Sequence, residues 1–116
     1  TLELLQQACR RGKPRETTPA LDVVMAPLSG GGLMSGTAIA AKGIDARTRV
    51  IAAEPDGASD GHDSLKSGTR ITGRTANTIS DGLRAELGPL TFAILREHCE
   101  DVLLVSDAET LSLIHI

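Results

Sequence analysis

A run of three glycines, Gly30–Gly32, is the part of this sequence best suited to bind a ligand. It lies between an apolar segment, residues 21–28, and a segment of small helix formers, residues 33–43. Glycine disfavours both helix and strand, so three in a row at such a junction need a local reason. Backbone amides at a strand-to-helix turn can point together at one anion, assisted by the helix dipole. The pattern therefore predicts a phosphate cradle over Gly30–Leu33, against the simpler interpretation of a tight turn without a ligand.

Two known phosphate-binding motifs match this loop only in part. The P-loop motif needs a lysine at the position of Thr37, so hydrolysis of a nucleoside triphosphate is not expected. The dinucleotide motif G-x-G-x-x-G is matched by Gly30 and Gly32, and Glu54 ends the next apolar segment as the ribose-binding acid would. Its third glycine comes one residue late, at Gly36. The loop alone leaves a dinucleotide-binding oxidoreductase open.

The elements around the loop alternate between covered strands and helices, which predicts an α/β layer with a parallel sheet. Strands are expected over residues 21–28, 49–54 and 101–106, and helices over residues 1–10, 33–43 and 89–99, with Gly43 as a C-cap. Residues 55–88 are loop-rich, with a short helix closed by Gly68. Ser106 and Glu109 have the spacing of a capping box.

The composition is that of one soluble domain with an unusual core. The chain has 116 residues, 41% hydrophobic and 1% aromatic, which indicates that it forms part of something larger. A net charge of −3 and the lack of aromatic platforms exclude nucleic acid and anionic membranes as expected partners. Cys9 and Cys99 are expected to be reduced thiols of a cytoplasmic protein.

Several sequence blocks follow the glycine loop in an order that resembles a known family. The blocks are "VIAAEPDGASD", "SLKSG", "TISDGL" and "LREHCEDVLLVSDAE". They resemble the fold-type II pyridoxal-phosphate enzymes, in the threonine/serine dehydratase and serine racemase branch, over nearly all of residues 21–109. The resemblance implies a three-layer α/β fold with a mostly parallel sheet and flanking helices, part of a tryptophan-synthase-beta-like fold. It also implies that residues 1–110 are part of the cofactor-binding large domain and residues 111–116 a divergent, non-native tail.

The same resemblance assigns the residues that hold the cofactor phosphate. The matching positions form one loop: Ser29, Gly30, Gly31, Gly32 and Leu33. Ser29 stands where the family more often has glycine, and its hydroxyl adds a donor. Ser80 likewise replaces the usual alanine before Asp81, in a loop that lies near the active site of relatives.

A divalent-cation site is implied by the spacing E-x-x-x-A-x-D, which Glu54, Ala58 and Asp60 match. In serine racemases and related dehydratases such a set binds a stimulatory cation through two carboxylates and a backbone carbonyl. Waters complete a site of this kind, which suits Mg²⁺. The competing interpretation is a solvated acidic loop. His62 and Asp63, close by, are expected to be surface residues.

The resemblance implies a reaction but gives this chain no catalytic residue. In the family, the lysine that binds the cofactor covalently lies upstream, and the partner of the pyridine nitrogen lies downstream. Lys42 and Lys66 are expected to be solvent lysines. The implied reactions are racemisation of serine or loss of hydroxyl from serine, threonine or 3-hydroxyaspartate, in a homodimer or homotetramer, and the chain is expected to be inactive alone. A non-catalytic regulatory module remains an alternative.

Overall fold

The computed structural model describes residues 2–11 and 21–114, and within them it confirms the expected α/β fold. The elements, in chain order, are α1 (Leu2–Arg11), β1 (Val23–Pro27), α2 (Gly32–Ile44), β2 (Arg49–Pro55), α3 (Asp60–Ser67), α4 (Pro89–His98), β3 (Asp101–Val105) and α5 (Asp107–Ile114). Short 3-10 turns span Asp56–Ala58 and Asp81–Leu83. The side chain of Cys9, the link over residues 12–20 and His115 lie outside the described residues.

The three described strands form one parallel sheet in the order β1-β2-β3. Pro27 pairs with Ala53, and Pro55 pairs with Val105. The carboxyl ends of the strands therefore lie side by side, which is the edge where open α/β sheets bind ligands. The glycine loop, the segment after Glu54 and the start of α5 all leave the sheet at this edge.

One buried cluster joins this sheet to α2 and α4. It is made mainly of small aliphatic side chains, and Ala38, Ala41 and Ala52 are completely buried in it. Alanines let a helix lie close to the sheet, so the cluster needs few large rings to fill it. Phe92, the single aromatic residue, packs at its margin. The low aromatic content of the chain thus agrees with a core made mainly of small aliphatic side chains.

Helix ends follow the local capping chemistry, with two differences from expectation. The capping box is confirmed, because the Ser106 amide donates to Glu109 Oε2 (2.9 Å) and the Glu109 amide to Ser106 Oγ (3.2 Å). Gly68 closes α3 with a φ of 77°. The prediction of a C-cap at Gly43 was wrong: α2 runs on to Ile44 and is capped by Asp45. Helix α3 begins at Asp60, earlier than the short "SLKSG" helix expected.

No helix in the described part of the chain is long and apolar enough to cross a membrane.

Candidate functional site

The glycine loop leaves β1 through a tight turn. The Leu28 amide donates to Ala53 O (2.9 Å), which continues the β1–β2 pairing to the start of the loop. The Gly31 amide donates back to Leu28 O (2.9 Å) and closes the turn. The φ angles are 46° at Ser29 and 92° at Gly31, both left-handed. The Gly31 amide therefore holds the loop together.

The amides open to an anion are those of the first turn of α2. Gly32 and Leu33 are the first two helical residues, whose amides have no carbonyl partner within the helix. Gly31, the N-cap, provides no side-chain cap, and the first turn contains no acidic residue. A Cβ built on Gly32 would have no heavy atom within 4 Å, and Leu33 is 64% exposed. The helix terminus is thus open and has no acidic residue in its own first turn, although Glu3 of α1 lines the same pocket as Gly32 and Leu33.

Helix α4 packs against this loop from the other side, a contact that the sequence pattern did not indicate. A Cβ on Gly31 would lie 2.8 Å from both Cδ2 of Leu87 and Cβ of Thr91, so only glycine fits there. The Thr91 hydroxyl donates to Gly30 O (2.8 Å) and has a second, more distant acceptor in Gly88 O (3.1 Å). The Gly88 amide also donates to Gly30 O (3.4 Å). The signal available in the sequence was the Gly-Pro start of a helix at residue 88. It marks the helix but not what the helix touches.

Glu54 is buried at the carboxyl end of β2, with 2% of its surface exposed. Its Oε1 accepts from the Gly61 amide (3.2 Å) and its Oε2 from the His62 amide (2.8 Å). The carboxylate thereby caps the first turn of α3. Burial, opposed by these amides and reinforced by the charge of Asp60, raises the pKa of Glu54 to about 7.

Asp60 lies beside a cavity of about 60 Å³ that Ala58 and Glu86 also line. Asp60 is 6% exposed, and its Oδ2 has no hydrogen-bond partner among the described residues. Burial raises its pKa, as does the charge of Glu86, while the Leu87 amide lowers it. The carboxylates of Glu54 and Asp60 are therefore buried, unlike those of a solvated acidic loop. Within residues 2–11 and 21–114, no three His, Cys, Asp or Glu side chains converge as a metal cluster.

Two residues differ from expectation, His62 beside Glu54 and Lys42 in the last turn of α2. His62 is half-buried, with its Nδ1 2.9 Å from Asp63 Oδ1. Lys42 is not a free solvent lysine, because it forms an ion pair with Glu100. Lys66 is exposed, as expected.

The "TISDGL" loop is fixed near the same edge of the sheet by α5. The Thr78 hydroxyl donates to Asp107 Oδ1 (2.6 Å), and the Ile79 amide donates to Oδ2 (3.2 Å). Arg84 donates to Thr78 O (2.8 Å). Ser80 is the N-cap of the adjoining 3-10 turn, and Asp81 is the first residue of that turn. The conformation of the loop thus depends on Asp107.

A protein-family model described as "Pyridoxal-phosphate dependent enzyme" matches residues 2–116. The chain belongs to this family. Among curated relatives, serine racemase of Oryza sativa subsp. japonica is 48% identical over 92 residues, which are 79% of this chain and 27% of that protein. L-threo-3-hydroxyaspartate ammonia-lyase of Saccharomyces cerevisiae is 41% identical over 101 residues, which are 86% of this chain and 31% of that protein.

Solved structures of the family have the same fold. Maize serine racemase superimposes with a TM-score of 0.84 at 38% identity, covering 98% of this chain and 34% of the other. The T.th. threonine deaminase gives a TM-score of 0.87 at 38% identity, covering 98% and 39%. The chain therefore spans less than two fifths of the length of either neighbour.

Membership of the pyridoxal-phosphate dependent enzyme family replaces the dinucleotide interpretation of the glycine loop. The geometry agrees, because a ribose-binding carboxylate must face the ligand, whereas both oxygens of Glu54 accept amides of α3.

Proposed function

We propose that this chain is the phosphate-binding segment of a pyridoxal-phosphate-dependent ammonia-lyase or racemase that acts on serine, threonine or 3-hydroxyaspartate. Relatives named serine racemase and L-threo-3-hydroxyaspartate ammonia-lyase support this substrate class. The observation that carries the proposal is the uncapped N-terminus of α2, which presents the amides of Gly32 and Leu33. The space next to Gly32 is free, because a Cβ built there would have no heavy atom within 4 Å.

The residues present fit the phosphate group of the cofactor. Hydrogen bonds to a charged oxygen are worth on the order of 1.5–3 kcal/mol each. The amides of Gly32 and Leu33 would donate to the phosphate, with the amides of Ser29 and Gly30 and the Ser29 hydroxyl as further donors from the turn. Gly31 keeps its amide in the turn and supports the others. The helix dipole adds to the attraction.

When bound, pyridoxal phosphate withdraws electrons from the α-carbon of an amino acid and so makes the α-proton removable. The contribution of this chain is to anchor and orient the cofactor at its phosphate. We assign no proton transfer to Lys42, which is paired with Glu100, or to Lys66, which is exposed. We therefore expect the 116-residue chain to be inactive by itself.

We also propose a Mg²⁺ site formed by Glu54, the Ala58 carbonyl and Asp60. The unpartnered, buried Oδ2 of Asp60 supports it, because a buried carboxylate oxygen without a hydrogen bond is costly unless a cation meets it. Each oxygen of Glu54 accepts one amide and retains a second lone pair for a cation or its water. Glu86 lines the cavity beside Asp60 and adds negative charge there, while Arg74 and Arg84 line it as well and offset part of that charge.

The resemblance extends the proposal to the whole protein. We propose that the whole protein is cytoplasmic and forms a homodimer or homotetramer. In this chain, residues 1–110 would be part of the large domain, and a divergent tail would begin at residue 111. In the structure α5 continues through residue 111 to Ile114.

Titration with pyridoxal phosphate tests the proposal in the protein expressed at its full natural length. Gly32→Asp places a negative side chain where a Cβ meets no atom, so it should leave folding intact and weaken cofactor affinity by roughly tenfold to a hundredfold. Gly43→Ala, also free of neighbours, is the matched control and should leave the affinity unchanged.

Wild-type protein that binds no pyridoxal phosphate, or Gly32→Asp protein that binds it normally, would contradict the proposal. Release of a 2-oxo acid from serine, threonine or 3-hydroxyaspartate identifies a lyase, and D-serine formed from L-serine identifies a racemase. Cofactor binding without any of these products would indicate the non-catalytic alternative.

A further inference from the structure

The peptide unit between Gly30 and Gly31 is held at both of its edges. On one edge, Gly30 O accepts from the Thr91 hydroxyl (2.8 Å) and is approached by the Gly88 amide (3.4 Å). On the other edge, the Gly31 amide donates to Leu28 O (2.9 Å). The carbonyl and N–H of a trans peptide point in opposite directions, so these bonds together fix the orientation of the plane.

This orientation decides which groups the loop presents to an anion. The carbonyl is turned towards α4, where Gly30 O accepts from the Thr91 hydroxyl and the Gly88 amide. Rotation of the peptide plane would turn this oxygen round, and a carbonyl oxygen repels phosphate. The loop sequence offers little resistance to this rotation, because the plane turns about the ψ of Gly30 and the φ of Gly31, and glycine tolerates both signs of φ.

We propose that Thr91 is a positioning residue for the phosphate-binding loop, acting through the Gly30 carbonyl. The inference rests on the proposed function, since it concerns the same phosphate. Thr91 lies 61 residues from Gly30 and supplies the side-chain bond to this carbonyl. Its Cβ also packs against the space that a side chain at Gly31 would need. The hydroxyl holds the plane, and the packing excludes other residues from the loop.

The test compares affinities for pyridoxal phosphate and for pyridoxal, which lacks the phosphate, in the apo form of the full natural-length protein. Thr91→Val keeps the shape and removes the donor, and Thr91→Ser keeps the donor. Thr91→Val should weaken pyridoxal phosphate binding by roughly tenfold, the effect of one hydrogen bond, and leave pyridoxal binding within about twofold. Thr91→Ser should restore the affinity for pyridoxal phosphate.

Thr110→Val is the matched control, because the Thr110 hydroxyl also donates to a backbone carbonyl, Ser106 O (3.1 Å), in another helix. It should leave the ratio of the two affinities unchanged. Three results would overturn the inference while the proposed function stands. Thr91→Val could weaken the binding of both ligands equally, or weaken the binding of neither. Alternatively, Thr110→Val could change the ratio of the two affinities as much as Thr91→Val does. Wild-type protein that binds pyridoxal but gains nothing from the phosphate, or that binds neither ligand, overturns both.

A second measurement, of the ³¹P chemical shift, reports on the loop independently of the binding affinities. The ³¹P chemical shift of bound pyridoxal phosphate should move towards that of the free cofactor in Thr91→Val and stay at the wild-type position in Thr91→Ser. An unchanged shift in Thr91→Val would contradict a role in orienting the loop.

Discussion

Gly61 lies directly against Glu54: a Cβ on Gly61 would be 2.8 Å from Glu54 Oε1 and 2.4 Å from Cδ2 of Leu28. The close approach lets the first turn of α3 place its amides on the buried carboxylate. Gly61 thus allows α3, the end of β2 and Leu28, the residue before the glycine loop, to meet.

Gly61→Ala should therefore destabilise the protein, by about 1–3 kcal/mol, as overpacking of a buried site does. The measurement is the free energy of unfolding in urea. Gly43→Ala is the control, because its Cβ meets nothing within 4 Å in a helix and alanine is favoured there by about 1 kcal/mol. Equal stability of the wild type and Gly61→Ala would show that α3 can shift away from Glu54.

The raised pKa of Glu54 predicts that stability depends on pH in cation-free buffer. Because the pKa rises from its ordinary value of 4.5 to about 7 on folding, the folded state binds more protons than the unfolded state between these values. The free energy of unfolding should then fall as the pH rises from about 4.5 to about 7. Denaturation in urea at about pH 5 and about pH 7.5 measures the difference, and Glu54→Gln should reduce it. If the free energy of unfolding of Glu54→Gln depended on pH as strongly as that of the wild type, the assignment of the pH dependence to Glu54 would be refuted.

Mg²⁺ should raise the melting temperature of the wild type, and Asp60→Asn should abolish the response. Without the cation, Asp60→Asn should be at least as stable as the wild type, because it removes a buried charge whose Oδ2 has no partner among the described residues. Asp56→Asn is the control, since Asp56 is exposed in the same segment and should keep the response. A full Mg²⁺ response in Asp60→Asn would place the cation elsewhere or on other ligands.

Ser29→Gly should stabilise the protein by about 1 kcal/mol, because an L-residue with a side chain is strained at the φ of 46° that Ser29 adopts. Urea denaturation measures this gain. Ser29→Ala is the comparison variant: it keeps the strain and removes the hydroxyl, so its effect on cofactor affinity reports the hydroxyl alone. A loss of stability in Ser29→Gly would indicate that the serine side chain supports the turn.

The sequence by itself determined the order of the elements, the parallel sheet and the place of the glycine loop. These features depend on local causes. Apolar and β-branched runs mark β1 to β3, and the capping box of Ser106 and Glu109 lies within four residues. The ordered blocks from residue 21 to residue 109 were likewise sufficient for the family.

The tertiary structure alone decided which polar groups of the loop are free and which acids are buried. Thr91 reaches Gly30 across 61 residues, and Glu54 accepts amides from a helix whose start the local sequence does not mark. The error at Gly43 has the same origin, because the end of α2 depends on its context in the fold. Hydrogen bonds and desolvation act between groups that are near in space, and spacing along the chain does not specify that proximity.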